Sequence, residues 1–204
     1  SSGSSLSMSF AQIVQRAPVE FLETGSKGNC LVVRSEFNTS HMTYPYGIHL
    51  VVARVDRGLA SVTLERMVVA YDVGRSINPL LVEGQIVGGV AQGIGGALLE
   101  EFVYDDEVQP LATSFMDYLI PTVTEIPNVE VIIREDAPSQ TNPLGIKGAG
   151  EGGITGVGAA VANAIEDALD GTASVDCLPV SPSRIHNILK GKDKSVDYLS
   201  ELSS

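Results

Sequence analysis

The sequence predicts an α+β fold. Three observations carry that expectation. Two β-branched runs face each other across a glycine-containing turn, several later stretches favour helix, and strands and helices do not alternate as regular βαβ units. In chain order, residues 10–17 (Phe10-Ala11-Gln12-Ile13-Val14 and onward) favour a short helix, and a polar region follows. Ile48–Val55 is short, apolar and β-branched, which reads as a strand. Ser61–Ala70 alternates in its first half and reads as its hairpin partner across Asp56-Arg57-Gly58. Asn78-Pro79 breaks the chain, and residues 80–101 read as a helix ending in Leu98-Leu99-Glu100-Glu101. Val129–Ile133 reads as a strand and 145–153 as a glycine-rich loop. Ile154–Leu169 favours a helix closed near Gly171, and Pro179 and Pro182 precede a last helix over 182–190. Residues 10–190 therefore read as one domain, 1–9 as a disordered or cloning-derived N-terminus, and 191–204 as a loose tail.

Composition narrows the function classes. The chain has 204 residues, 44% of them hydrophobic and 19% charged, an ordinary globular balance with enough length for a real core. Its formal net charge of −12 repels phosphate backbones, so no nucleic-acid partner is expected. The short run Lys190, Lys192, Lys194 reads as a solvated tail. Cys30 and Cys177 stand far apart with no CxxC and no histidine cluster, which argues against a zinc or iron–sulfur site and suits a reducing, cytoplasmic setting. No apolar run is long enough to span a bilayer, so no membrane partner is expected.

Two segments carry the chemistry. In Gly84–Gly96 five further glycines follow Gly84 inside the expected helix, each costing about 0.5–1 kcal/mol relative to alanine. Gln85 and Gln92 are seven apart, almost two turns, and fall on nearly one face. With Gly88, Gly89, Gly95 and Gly96 around them, they describe a backbone surface open to close approach. Their amides suit an oxo group, a phosphate or a pterin edge. The same pattern fits tight helix packing with satisfied core glutamines. The second segment, Asn142–Gly156, sets Lys147 and Glu151 among glycines at 145, 148, 150, 152 and 153. Glu151 is expected just ahead of a helix, whose N-terminus would favour its ionised form, as would Lys147 if close, while burial under a cofactor would oppose them. This describes a general base. It also describes a phosphate cradle with Glu151 as a helix-terminal acid, although Gly-Lys lacks the following Ser or Thr of a P-loop. Gly148-x-Gly150-x-x-Gly153 is formally a dinucleotide fingerprint without a strand leading into it. His41, His49 and His186 read as surface or packed residues, Asp72 and Asp117 as turn or capping residues, and Tyr44, Tyr46, Tyr71, Tyr104 and Tyr118 as packing groups.

Taken in order, several motifs resemble one family: Thr43-Tyr44-Pro45-Tyr46-Gly47-Ile48-His49, Asp72–Pro79, Gly84-Gln85 through Gln92-Gly93-Ile94-Gly95, Leu99-Glu100-Glu101, Ser114–Pro121, Pro143–Glu151 and Ala162–Ile165. The set resembles the C-terminal part of the molybdenum-binding subunit of the xanthine oxidase family, over about residues 40–190. That family includes aldehyde oxidoreductases, N-heterocycle hydroxylases and aerobic carbon monoxide dehydrogenases. The resemblance implies an aldehyde oxidoreductase-type molybdopterin-binding fold and a molybdenum-pterin cofactor, with cytosine dinucleotide as one form. It implies 2Fe-2S clusters and FAD on partner subunits or domains, and a small-molecule substrate that is an aldehyde, an N-heterocycle or CO. It further implies a glutamate, here Glu151, acting as base toward a molybdenum-bound hydroxyl, with water as the oxygen source. Gln92, Gly148, Ala149 and Gly150 would lie against the cofactor, with Gln85 and Lys147 as further contacts. No side chain here is expected to ligate the metal.

The family's subunits are several times longer, so the chain reads as a piece that needs the remainder of the molybdenum subunit and the iron–sulfur and flavin subunits. Asp105-Asp106-Glu107-Val108 lacks the glycine common at that turn. Two other readings stand beside the catalytic one: a non-catalytic assembly module of such a complex, and a nucleotide-binding domain.

Overall fold

The computed structural model describes residues 7–17, 22–25, 28–32, 34–39, 41–171 and 174–191. The chain forms two compact units, Ser1–Ser40 and His41–Ser204, a division that falls inside the span 10–190 read as one domain. The expectations for 1–9 and 191–204 lie, apart from residues 7–9 and 191, outside the described residues.

In the first unit, helix α1 (Phe10–Arg16) starts at a capping box. The Ser9 hydroxyl accepts from the Gln12 amide at 3.3 Å, and the Gln12 side chain accepts from the Ser9 amide at 2.9 Å, satisfying two N–H groups that a helix start leaves over. An antiparallel pair follows, β1 (Leu22–Gly25) with β2 (Gly28–Leu31). Within the stretch read as merely polar, these four-residue strands are too short for alternation to show.

The second unit is built on a three-stranded sheet of order β3-β4-β5. Strands β3 (Tyr46–Asp56) and β4 (Ser61–Asp72) form the expected hairpin, with an irregularity at Val52/Ala53. Its turn is held by Asp56, whose carboxylate accepts from Gly58 and Leu59 amides at 2.8 and 2.9 Å. Strand β5 (Val129–Arg134) joins β4 in parallel, which demands a crossover. Helix α2 (Pro79–Leu98) lies within that crossover, started by the Asn78 side chain and Pro79 at its first turn. Helices α3 (Val157–Ala168) and α4 (Pro182–Leu189) complete the unit. The inner face of β4, with Met67 and Val69, meets Ile86, Val90 and Ile94 of α2 and Val161 and Ile165 of α3 in one core. Each such side chain contributes about 1.5–3 kcal/mol by leaving water. No helix among the described residues is long and apolar enough to cross a membrane.

Two helix boundaries differ from expectation. The helix read over 80–101 ends at Leu98, because the Gly95 carbonyl accepts from both Leu99 and Glu100 amides and the Glu100 carboxylate is taken by the Tyr118 hydroxyl at 2.6 Å. The helix read from Ile154 starts at Val157, because residues 151–156 are held in turns by the contacts described next.

Candidate active site

The loop that carries Glu151 is stapled at its start. The Asn142 side chain donates to the Ile146 carbonyl at 2.9 Å and accepts from its amide at 3.1 Å, which closes the turn that Gly145 makes with φ +70°. The Lys147 amide then donates to the Val73 carbonyl at 2.8 Å, tying the loop to the end of β4. The Gly148 amide donates to the Thr43 hydroxyl at 3.3 Å.

The far side of Glu151 is held by contacts that only glycine allows. A Cβ on Gly152 would overlap the ring of Tyr71 on β4, one on Gly153 would overlap the Ile86 carbonyl of α2, and one on Gly156 would overlap the His49 ring of β3. His49 Nε2 lies 3.2 Å from the Gly153 carbonyl, and burial lowers its pKa against the opposing pull of the Gly153 and Gly152 carbonyls. The Glu151 carbonyl accepts from the Thr155 hydroxyl at 2.7 Å and from the Ile154 amide at 3.2 Å. Its side chain is left exposed, and among the described residues no hydrogen bond holds the carboxylate. Glu151 is nevertheless close enough to Tyr71 for its charge to act: burial first, then the Glu151 charge, raises the Tyr71 pKa.

Helix α2 has two glycine faces. Gly89 packs on the backbone of Gly153 and Ile154, and Gly93 on the Val157 side chain, so these bring the helix against the Glu151 loop. Gly88 and Gly96 lie on the other side, where a Cβ would meet nothing within 4 Å, and Gln85 and Gln92 are exposed with them. The helix thus carries both packed and open glycines, while Gln85 and Gln92 are exposed and are not the satisfied core glutamines of the packing reading. Gly89, against Gly153 and Ile154, and Gly95, against Glu100 and Pro121, are packed and do not belong to the open surface expected of them.

Two sequence expectations are corrected. Glu151 precedes the N-cap of α3, Gly156, by five positions, so the helix terminus does not abut it. The Lys147 ammonium pairs with Asp72 at 3.0 Å, with the two side chains 8% and 3% exposed. Asp72, read from the sequence as a turn residue, does accept from turn amides and is also this buried counter-ion. Burial pushes its carboxyl upward, but the Lys147 ammonium and the Gly74, Ala137 and Asp136 amides outweigh that and hold it below the usual carboxylate range. The sequence signal for Asp72 was only its place in Asp-Val-Gly beside a strand end, a pattern that turns share. The formal Gly148-x-Gly150-x-x-Gly153 fingerprint follows the long loop 135–147 after β5, not a strand end.

Comparison with known proteins bears on this arrangement. A family model described as a molybdopterin cofactor-binding domain matches residues 2–127. The chain belongs to this family. It is similar to part of the molybdenum-binding subunits of the xanthine oxidase family. Among them are the 6-hydroxypseudooxynicotine dehydrogenase complex subunit gamma of Paenarthrobacter nicotinovorans, 45% identical over 165 residues, which are 81% of this chain and 21% of that one. The carbon monoxide dehydrogenase large chain of Afipia carboxidovorans is 33% identical over 132 residues, 65% of this chain and 16% of that one. Of solved structures, quinoline 2-oxidoreductase from Pseudomonas putida 86 superposes with a TM-score of 0.69 at 38% identity, over 72% of this chain and 19% of that one. The Cu,Mo-CO dehydrogenase superposes with a TM-score of 0.72 at 28% identity, over 81% and 20%. The α+β expectation of an aldehyde oxidoreductase-type molybdopterin-binding domain is met. The chain spans about a fifth of the length of the curated relatives it matches.

The open surfaces of this molybdopterin-binding chain fit a flat group with hydrogen-bonding edges. Gly88, Gly148 and Gly150 each leave free space where a Cβ would stand, and the Gln85 and Gln92 amides are exposed. Ala149 is half-buried and packs toward the core, anchoring the loop between those two glycines. Among the described residues no three His, Cys, Asp or Glu side chains are grouped to hold a metal ion.

Proposed function

We propose that this chain is the catalytic part of a molybdenum hydroxylase that oxidises an aldehyde, an N-heterocycle or CO, with Glu151 as general base. The observation that carries the reading is an exposed carboxylate on a loop anchored on both sides and packed, through Gly153, on the helix that carries Gln85 and Gln92. A base must be placed before it is useful, and here Gly152, Gly153 and Gly156 fix the backbone behind the carboxylate, which no hydrogen bond holds among the described residues. Gln92, Gly148, Ala149 and Gly150 would hold the molybdenum-pterin cofactor, with Gln85 as a further amide. When bound, that group supplies the oxidising centre and polarises an oxygen for attack. Glu151 would accept a proton at its carboxylate, with water as the oxygen source. 2Fe-2S clusters and FAD on partner subunits would supply the onward electron path. A cytosine dinucleotide form of the pterin goes with a bacterial source.

The remainder of the molybdenum subunit is the partner of the sheet. Ile48, Leu50 and Val52 alternate along β3 on its outward face, at 60%, 58% and 52% exposure, level with Ala70, Val68 and Arg66 of β4. With Ile132 beside Ala70, this is an apolar patch, bordered by the Arg66–Glu130 ion pair, on an edge strand of eleven residues, which natural proteins cover. The parts of the relatives that this chain does not match would supply the cover.

The test is a Glu151→Gln variant of the intact complex from its native host, with molybdenum per subunit measured by elemental mass spectrometry and turnover measured alongside. Full molybdenum with turnover lost supports the reading. Turnover near the parent level at full molybdenum removes Glu151 as the base.

A further inference from the structure

Lys147 stands four residues before Glu151 and is fastened twice. Its main chain donates to Val73 at 2.8 Å, and its ammonium meets the Asp72 carboxylate at 3.0 Å. The same ammonium lies 4.5 Å from the centre of the Tyr46 ring, which closes off another side of it. The pair is shut away from water, at 8% and 3% exposure. Asp72 is the more constrained partner. One oxygen also accepts from Gly74 at 2.9 Å, and the other accepts from Asp136 and Ala137 at 2.8 and 3.1 Å, just beyond β5. One carboxylate thereby gathers the end of β4, the exit of β5 and the start of the Glu151 loop.

A buried charge pair of this kind adds little stability over apolar residues of the same volume, yet losing one partner strands a charge in the interior. Its best-attested use is to specify an arrangement. Nothing in its geometry turns Lys147 toward the open glycine surfaces of α2 and the loop, because its charge is already engaged by Asp72 and Tyr46.

We propose that the Asp72–Lys147 pair is a positioning device that sets where Glu151 stands, and that Lys147 acts through the loop without touching substrate or cofactor. This rests on the reading of Glu151 as the base.

The test uses the full-length complex carrying Lys147→Met, Asp72→Asn, both together, and Glu151→Gln. Three quantities are read: molybdenum per subunit, kcat and KM separately, and hydrogen–deuterium exchange of the 145–152 amides in metal-free protein. The single variants are expected to keep molybdenum and KM, to lose kcat by about tenfold or more through misplacement of the base, and to exchange 145–152 amides faster. The double variant, which strands no charge, recovers a large part of kcat and of the protection. Loss of molybdenum in Lys147→Met that the double variant does not restore would overturn the proposal in favour of direct cofactor contact. Unchanged amide exchange in both singles would overturn it as well. Turnover surviving in Glu151→Gln sinks the base reading alone, since the exchange pattern reports the pair's hold on the loop independently.

Discussion

Gly152 packs against the ring of Tyr71, with no room for a single methyl group between them. Gly150, two residues earlier, faces open space. The two glycines bracket Glu151 and differ in what they serve. Gly152→Ala forces either the loop or the Tyr71 ring to move, and overpacking of that sort costs about 1–3 kcal/mol. Gly150→Ala is expected to change stability by no more than about 0.5 kcal/mol, as surface substitutions do. Urea unfolding midpoints of the two variants check this, and equal midpoints would mean that Tyr71 does not brace the loop. Molybdenum content should fall in Gly150→Ala despite its native stability, if cofactor approaches the backbone there.

Asp72 makes the acid stability of the second unit predictable in sign. Its folded-state pKa lies below the ordinary value, because Lys147 and three amides outweigh the effect of burial. The unfolded chain therefore binds the proton more readily. The stabilisation is fully present above about pH 4, the ordinary aspartate pKa, and is lost as pH falls through the lower folded value. In a series of unfolding midpoints from neutral pH downward, Asp72→Asn should lose less stability than the parent below about pH 4. Parallel curves would contradict the assignment.

Val108 occupies a left-handed conformation with φ +62°, in the turn where the sequence lacks a glycine. Asp105 compensates by accepting from the Glu107 and Gln109 amides at 2.9 and 2.8 Å. The Cβ of a residue in that conformation costs about 1–2 kcal/mol. Part of this relief is returned as glycine's greater freedom in the unfolded chain. Val108→Gly should still raise stability by about 0.5–1 kcal/mol, measured as a shift of the denaturation midpoint at constant slope. A lower midpoint would show that the Val108 side chain contributes packing that outweighs its backbone strain.

Much of the second unit was legible in the sequence because it is governed by neighbours along the chain. The β3–β4 hairpin follows from alternation on both sides of Asp56-Arg57-Gly58, and α4 from Ser181-Pro182 followed by spaced Ile185 and Ile188. Gln85 and Gln92 share a face because helical geometry puts residues seven apart there. Glu151 stood out because it is the lone carboxylate among loop glycines. What lay beyond reach involves partners distant in sequence. Asp72 and Lys147 are 75 positions apart, and neither one's neighbours reveal that they meet in the interior. Which α2 glycines pack and which stay open depended on where residues 153–157 dock, and α3 starts late because Tyr71, Ile86 and His49 claim the loop before it. Local patterning states what each segment is able to form. Only tertiary packing decides which of its surfaces are used up and which remain for chemistry, since burial and charge pairing are properties of the assembled chain.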